Sequence, residues 1–233
     1  MFNKTAEIYD LMYSLKDYEQ ESLQIRDYIN SLNPKATHVL DVACGTGKHA
    51  SYLSRFYNVD GIDLNERFID IALERNSSGT FVCRDMTSFQ LDKQYDIVMC
   101  LFSSIAYVKT FDLLVESLNQ FKHHLNNGGI VIVEPWFQPK AWEVGRVDMF
   151  TTEDEQGNKV CRMSHSEKVG AISILNFEYL IGTTTGIEKY TEKHELGLFT
   201  VEEMITAFES AGFVCQYDPN GISGRGLYVG IMS

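Results

Sequence analysis

Residues 37–50 read THVLDVACGTGKHA. The opening THVLDV is a short apolar, β-branched run of the kind that forms a buried strand. The next residues, Gly45, Gly47 and Ala50, match G-x-G-x-x-A, a turn tight enough to bring backbone amides close to a ligand. A helix follows from about Lys48 to Phe56. Strand, glycine turn and helix in that order begin a parallel α/β sheet, and the residues on either side continue it. Val59 to Leu64 is a second strand, with Asn65 as N-cap of a helix carrying Phe68, Ile71, Ala72 and Arg75. Thr80 to Arg84 and Tyr95 to Leu101 are the third and fourth strands. Phe111, Leu114, Leu118, Phe121 and Leu125 then mark a helix that stops at Asn126-Asn127-Gly128-Gly129, and Ile130 to Glu134 is a fifth strand, apolar enough to be buried on both faces.

The pattern changes after that. Residues 138–198 show no long helical period but contain alternating runs such as VCRMSHSEKVGAISILNFEYLI, whose polar KVG turns a hairpin. Thr200 and Glu203 then form a capping box, Gly212 ends the helix they start, and strands at Phe213 to Tyr217 and Leu227 to Ile231 close the chain. The expectation is a doubly wound, mostly parallel α/β domain made of residues 1–137 and 199–233. An antiparallel β insertion, residues 138–198, caps its active site.

Size and charge agree with one such domain. The chain has 233 residues, and 44% hydrophobic residues are enough for a buried core. Twenty basic residues against 32 acidic ones give a net charge of −12, which works against any diffuse grip on nucleic acid or an anionic membrane. The opening MFNKTAEIYDLMY has no apolar h-region, and the longest apolar runs fall far below the roughly 20 residues of a membrane span. Five cysteines without a C-x-x-C pair suit a reducing cytosol and offer no zinc knuckle. The expectation is a cytoplasmic enzyme without a metal, and a homodimer is compatible with it.

The glycine turn permits two ligands. Asp63 lies 18 residues past Gly45 at the end of the next strand, the spacing of a dinucleotide fingerprint in which the acid takes ribose hydroxyls. Asp41, however, ends the first strand where a pyrophosphate would lie. S-adenosylmethionine (SAM) has no phosphate and carries an ammonium and a sulfonium, so a carboxylate there attracts it. Asp85, at the end of the third strand, is placed to accept the adenine amino group, with Met86 beside the ring. Three strands thus end in acids at the edge where doubly wound sheets bind ligands. The absence of any Y-x-x-x-K removes the usual catalytic pair of short-chain dehydrogenases. No N-P-P-Y type motif follows the fourth strand, which argues against methylation of nucleic-acid bases.

With those residues in view, the chain resembles the class I SAM-dependent methyltransferases. Within them it resembles the N,N-dimethyltransferases of nucleotide-linked 3-amino deoxyhexoses in macrolide sugar pathways. The matching pieces are YDLMY, KDY, LDVACGTG, RDM, CLFSSI, VEPWF, RMSHS and SGRGL. The resemblance implies a seven-stranded sheet with its last strand antiparallel, SAM as donor with S-adenosylhomocysteine (SAH) as product, and a nucleoside-diphosphate amino sugar as acceptor. It implies that Tyr9 and Tyr18 close over the cofactor and that Ala43 and Gly45 approach its methionine part. Asp63, with Leu64 beside it, takes the ribose and Asp85 with Met86 the adenine, while Leu101 and Ser103 line the same pocket. On the acceptor side it implies Arg225 against the phosphoryl groups, a bidentate grip that a surface of negative charge cannot supply. Tyr13, Trp136, Arg162, Ser164, His165 and Tyr179 are further acceptor candidates, although packing serves Trp136 equally well and a strand histidine such as His165 is more often structural. Where some relatives have a histidine after SSI, this chain has Tyr107, a candidate to accept a hydrogen bond from the amine; a phenol of pKa about 10 is a poor strong base. Glu134 could approach the amine or simply end the fifth strand.

Overall fold

The computed structural model describes residues 6–232. A 3-10 turn at Ala6–Ile8 leads into α1 (Tyr9–Met12), followed by α2 (Tyr18–Leu32), β1 (His38–Val42), α3 (Lys48–Leu53) and β2 (Asn58–Asp63). Next come α4 (Glu66–Arg75), β3 (Phe81–Cys83), β4 (Tyr95–Cys100), a 3-10 segment at Ser104–Val108, α5 (Phe111–His123) and β5 (Leu125–Val133). Strands β6 (Val147–Glu153), β7 (Lys159–Val169), β8 (Ile172–Thr183) and β9 (Gly186–Gly197) precede α6 (Val201–Ser210), β10 (Phe213–Asp218) and β11 (Leu227–Met232).

Seven strands form one sheet in the order β10-β11-β5-β4-β1-β2-β3. β1 to β5 run parallel, and β11 is antiparallel to both β5 and β10, as expected from the sequence. Because helices cover both faces of the sheet, central strands are apolar in succession rather than alternating; Val39, Leu40 and Val42 of β1 are all fully buried. Alternation then sends neighbours to opposite layers. Leu40, Val42, Val98 and Cys100 pack with Leu118 and Phe121 of α5 and Phe208 of α6, whereas Val39, Ile97 and Met99 pack with Ile25 and Ile29 of α2 and Leu53 of α3. Strand order reverses between β1 and β4, and the crevice outside the carboxyl ends of these strands is where such sheets bind ligands.

The helix ends follow the expected chemistry. Asn65 caps α4, accepting from Arg67 N at 3.0 Å, and the capping box of α6 is complete, with Thr200 Oγ1 accepting from Glu203 N at 3.1 Å and Glu203 Oε2 from Thr200 N at 2.8 Å. Gly47 has φ +72°, and a Cβ there would lie 2.5 Å from Asn76 Nδ2 and 3.1 Å from the Cβ of Ala72, so the glycine allows α4 to close on the turn.

Three features differ from expectation. The first is α2, for which no element was assigned although Tyr18, Ser22, Ile25 and Ile29 are buried at helical steps and Asp17 caps the helix. The second is Asn126-Asn127-Gly128-Gly129. α5 already ends at His123, and these residues join the start of β5, which shifts register between Tyr95 and Ile97 of β4. The third is only the extent of the insertion, which is antiparallel as expected but carries four strands, β6-β7-β8-β9, around the hairpin read from the sequence. Its turn at Gly170 falls in the expected KVG, and its inner face meets α1 through Val160, Phe177, Tyr179, Tyr9 and Met12. Among the described residues no helix is long and apolar enough to cross a membrane.

Candidate active site

A pocket of about 290 Å³ opens at the carboxyl ends of β1, β2 and β4. Ala43, Gly45, Asp63 and Leu64 form its floor, Phe68 and Met86 one wall, and Phe102, Ser103 and Tyr107 another. Tyr9 and Tyr13 roof it from the N-terminal segment, while Trp136 and Arg225 stand at the far end with Leu175, Phe177, His194 and Leu196 of the insertion. A smaller pocket adjoins it, sharing Tyr9, Ala43 and Gly45 and adding Tyr18, Asp41, Lys48, His49 and Leu101.

Backbone strain is concentrated around this pocket. Ala43, Phe102 and Ser103 adopt positive φ values of 58°, 52° and 64°, a region that side chains disfavour and that persists where surrounding bonds impose it. Those bonds are visible. Glu134, at the end of β5 and 2% exposed, accepts Phe102 N–H at 2.7 Å with one oxygen and the Ser223 hydroxyl with the other. Ser103 donates to Pro135 O at 2.7 Å. Glu134 thus clamps the loop after β4 to the Ser223–Gly226 loop with both carboxylate oxygens engaged.

The electrostatics of the two ends are opposite. At the floor, Asp63 accepts Gly45 N and Asn65 N, each at 2.9 Å. Asp41 is 3% exposed and its Oδ2 has no hydrogen-bond partner. Burial raises the pKa of both carboxyls, and the Asp63 charge raises that of Asp41 further. A buried carboxylate oxygen without a partner fits a cationic ligand and repels a pyrophosphate. At the mouth, Arg225 donates to Ser103 Oγ and Ser223 Oγ, each at 3.1 Å, and lies 5.7 to 5.9 Å from the ring centres of Phe102, Trp136 and Phe137. Among the described residues it has no carboxylate partner within ion-pair distance.

The roof is tied down through Asp10, which accepts from Thr46 Oγ1 of the glycine turn at 2.7 Å and is ion-paired with Arg75 of α4. Tyr9 packs against Phe68 at 4.9 Å between ring centres and Tyr13 against Phe102 at 5.1 Å.

The remaining candidates divide by strand parity. On β7 and β8 the inner face carries Arg162 paired with Tyr179 and Ser164 paired with Phe177, so Arg162 reaches Tyr13 Oη at 3.4 Å and stacks on Phe177 at 4.7 Å. His165 is one residue further, so it projects from the opposite face beside Val147 and Asn176, half exposed and 3.5 Å from Glu167. Arg162, Ser164 and Tyr179 stand behind the lining rather than in it. Asp85 is exposed, and its Oδ1 accepts from Thr87 N and Oγ1 at 2.9 and 2.8 Å; its neighbour Met86 reaches the pocket. Sequence reasoning passed over Phe102, Phe177 and His194. The last donates or accepts at Tyr107 Oη, 2.8 Å from its Nδ1, with Glu192 Oε2 3.3 Å from its Nε2. The inner-face alternation of Tyr190, Glu192, His194 and Leu196 was the available signal.

A crevice at the switch point, a glycine turn between carboxylates and a seven-stranded order with antiparallel β11 inserted between β10 and β5 define a class I SAM-dependent methyltransferase, and the family model for the methyltransferase domain matches residues 39–129. The dTDP-3-amino-3,6-dideoxy-alpha-D-glucopyranose N,N-dimethyltransferase of Streptomyces fradiae is 37% identical, over 97% of this chain and 90% of that one. The dTDP-4-amino-2,3,4,6-tetradeoxy-D-glucose N,N-dimethyltransferase of Saccharopolyspora spinosa is 34% identical over 97% of this chain and 92% of its own. The crystal structure of DesVI from Streptomyces venezuelae superposes with a TM-score of 0.93 at 33% identity, covering 99% of each chain. The chain belongs to this N,N-dimethyltransferase family and uses SAM as its methyl donor.

Proposed function

We propose that the enzyme methylates the amino group of a nucleoside-diphosphate-linked amino deoxy sugar. The observation that carries the proposal is the polarity of the pocket, with Asp41 and Asp63 at one end and, at the other, Arg225, which has no ion-pair partner among the described residues and is linked to Glu134 through the Ser223 hydroxyl. A cationic donor suits the first end and a diphosphate the second. The relatives named above act on dTDP-linked sugars with the amine at C3 or C4, which supports the same acceptor class.

SAM brings a methyl group on a sulfonium that leaves as a neutral thioether. Asp41 would meet the ammonium of its methionine part, under Tyr9 and Tyr18; Asp63 would take the ribose hydroxyls, and Leu64, Met86 and Leu101 would pack its apolar surface. Arg225 would hold the diphosphate bidentately, backed by Trp136, with Arg162, Ser164 and Tyr179 supporting the wall behind Tyr13. Holding amine and methyl in line between two charged anchors can supply up to about 7 to 11 kcal/mol of the barrier. Glu134 serves through the clamp and does not touch the amine. The five cysteines are free thiols, which supports a reducing cytoplasmic setting.

Incubation with SAM and a panel of dTDP-linked 3-amino and 4-amino deoxyhexoses tests the proposal. Mass gains of one or two methyl groups on at least one of them are expected; SAM turnover only with acceptors lacking a diphosphate would overturn it.

A further inference from the structure

An alkylamine with an ordinary pKa of about 10.4 reaches the enzyme at neutral pH as an ammonium, so a proton has to leave before nitrogen can attack. Tyr107 faces the pocket, yet burial and the nearby Tyr13, Glu192, Tyr179 and Asp63 push its phenol up, so tyrosinate is not an available base. Behind Tyr107 the structure supplies a better acceptor. His194 of β9 is 1% exposed; its Nδ1 lies 2.8 Å from Tyr107 Oη and its Nε2 3.3 Å from Glu192 Oε2, which Tyr179 Oη also approaches at 3.4 Å. The imidazole therefore has a phenol on one nitrogen and a carboxylate on the other, an arrangement in which the carboxylate sets the tautomer and steadies the imidazolium.

We infer that His194, oriented by Glu192, receives the proton of the acceptor ammonium through Tyr107. This deepens the proposed function and rests on the acceptor being an amine. The step balances. An ammonium N–H proton passes to Tyr107 Oη while the Tyr107 hydroxyl proton passes to His194 Nδ1, leaving a neutral amine, a neutral phenol and an imidazolium paired with Glu192. Methyl transfer leaves the product nitrogen as an ammonium, so the imidazolium gives its proton back through Tyr107 to water once the pocket opens, and a second methyl requires one further deprotonation by the same route. His194 and Glu192 act on the amine through Tyr107 and are positioning residues. The groups facing the pair from packed elements are Tyr107 on the 3-10 segment, Tyr179 on β8 with the Phe177 ring 5.0 Å from the imidazole, Arg162 on β7 stacked on Phe177, and Tyr13 beyond α1. Arg162 is the one cation in that group, and Glu192 offsets it.

The test measures kcat and KM from pH 6.5 to 10 for the wild type, His194→Gln, Glu192→Gln and Tyr107→Phe with an accepted dTDP-amino sugar, and SAH affinity by calorimetry for each. His194→Gln and Tyr107→Phe are expected to lose about 10- to 100-fold in kcat at pH 7, the lower part of what a positioned acid–base group supplies, with Glu192→Gln between them and the wild type. The loss shrinks to about fourfold or less near pH 10, where about a quarter of the amine arrives unprotonated. SAH affinity stays within about threefold. A loss that is the same at every pH, or full kcat at pH 7 in Tyr107→Phe, would overturn the relay even if His194→Gln failed to fold. A wild-type enzyme inert on every nucleotide-linked amine would overturn the relay together with the functional proposal, whereas an active wild type whose variants share its pH profile would overturn the relay alone.

Discussion

Replacing Asp41 by Asn separates what this residue does for stability from what it does for binding. Asp41 is 3% exposed, Oδ2 has no partner, and its pKa is raised first by burial and then by Asp63. The amide keeps a polar group at that position, so only the cost of burying the charge is recovered, and removing it should stabilise the ligand-free protein by about 1 to 2 kcal/mol. For a chain of this size each kcal/mol shifts Tm by about 2 to 4 °C. The sign with pH follows from the raised pKa: the contribution to stability is full below the ordinary aspartate range and is lost as pH rises through the raised value. The gain from Asp41→Asn should therefore be larger at pH 8 than at pH 5. Binding moves the other way. Losing the carboxylate that meets a buried ammonium costs about 2 kcal/mol, a factor of about 30. At a SAM concentration of about 100 times the wild-type Kd, the ligand stabilises the wild type by about 2.7 kcal/mol and the variant by about 0.9 kcal/mol. Thermal unfolding with and without SAM reads both effects. A variant whose free form melts no higher than the wild type and whose SAM-induced shift is unchanged would refute the role given to Asp41.

Arg225→Ala should raise KM for a dTDP-amino sugar about 100-fold while SAH affinity is unchanged, because Arg225 stands at the pocket end remote from the carboxylates; steady-state kinetics and calorimetry check this. Asp10→Ala removes the tie between the Tyr9 roof and the glycine turn, and stopped-flow fluorescence should show SAH leaving about tenfold faster. Gly47→Ala places a Cβ 2.5 Å from Asn76 Nδ2 at φ +72°, so denaturant unfolding should show a loss of about 1 to 3 kcal/mol.

The parallel half of the fold was legible because its signals are local. A buried strand, a glycine turn and a capped helix each occupy about ten residues, and the acids at strand ends fall where the sheet must bind its ligand. Helix α2 was equally local but easy to overlook, since most of its residues are polar and only four, Tyr18, Ser22, Ile25 and Ile29, are buried. The acceptor side was harder for a different reason. Parity along β7 already separates His165 from Arg162 and Ser164, but which parity faces the pocket depends on packing against α1, which no single strand reveals. Tyr107 and His194 are 87 residues apart, and the Glu134 clamp joins β5 to Phe102 and Ser223; such pairings exist only once the sheets are assembled. Asp85 lies where its motif places it, at the end of β3, with Oδ1 holding its own turn through Thr87 and its neighbour Met86 in the pocket.

The central claim is transfer of a methyl group from SAM to the nitrogen of a nucleotide-linked sugar. Reaction with SAM carrying a deuterated methyl group, followed by fragmentation of the purified nucleotide sugar in the mass spectrometer, tests it most directly. Label is expected on the amine-bearing sugar fragment, with one or two labelled methyls per molecule and none on the base or phosphates. Label on a sugar hydroxyl, or no labelled sugar from any amino-deoxyhexose nucleotide while SAM still binds, would contradict it.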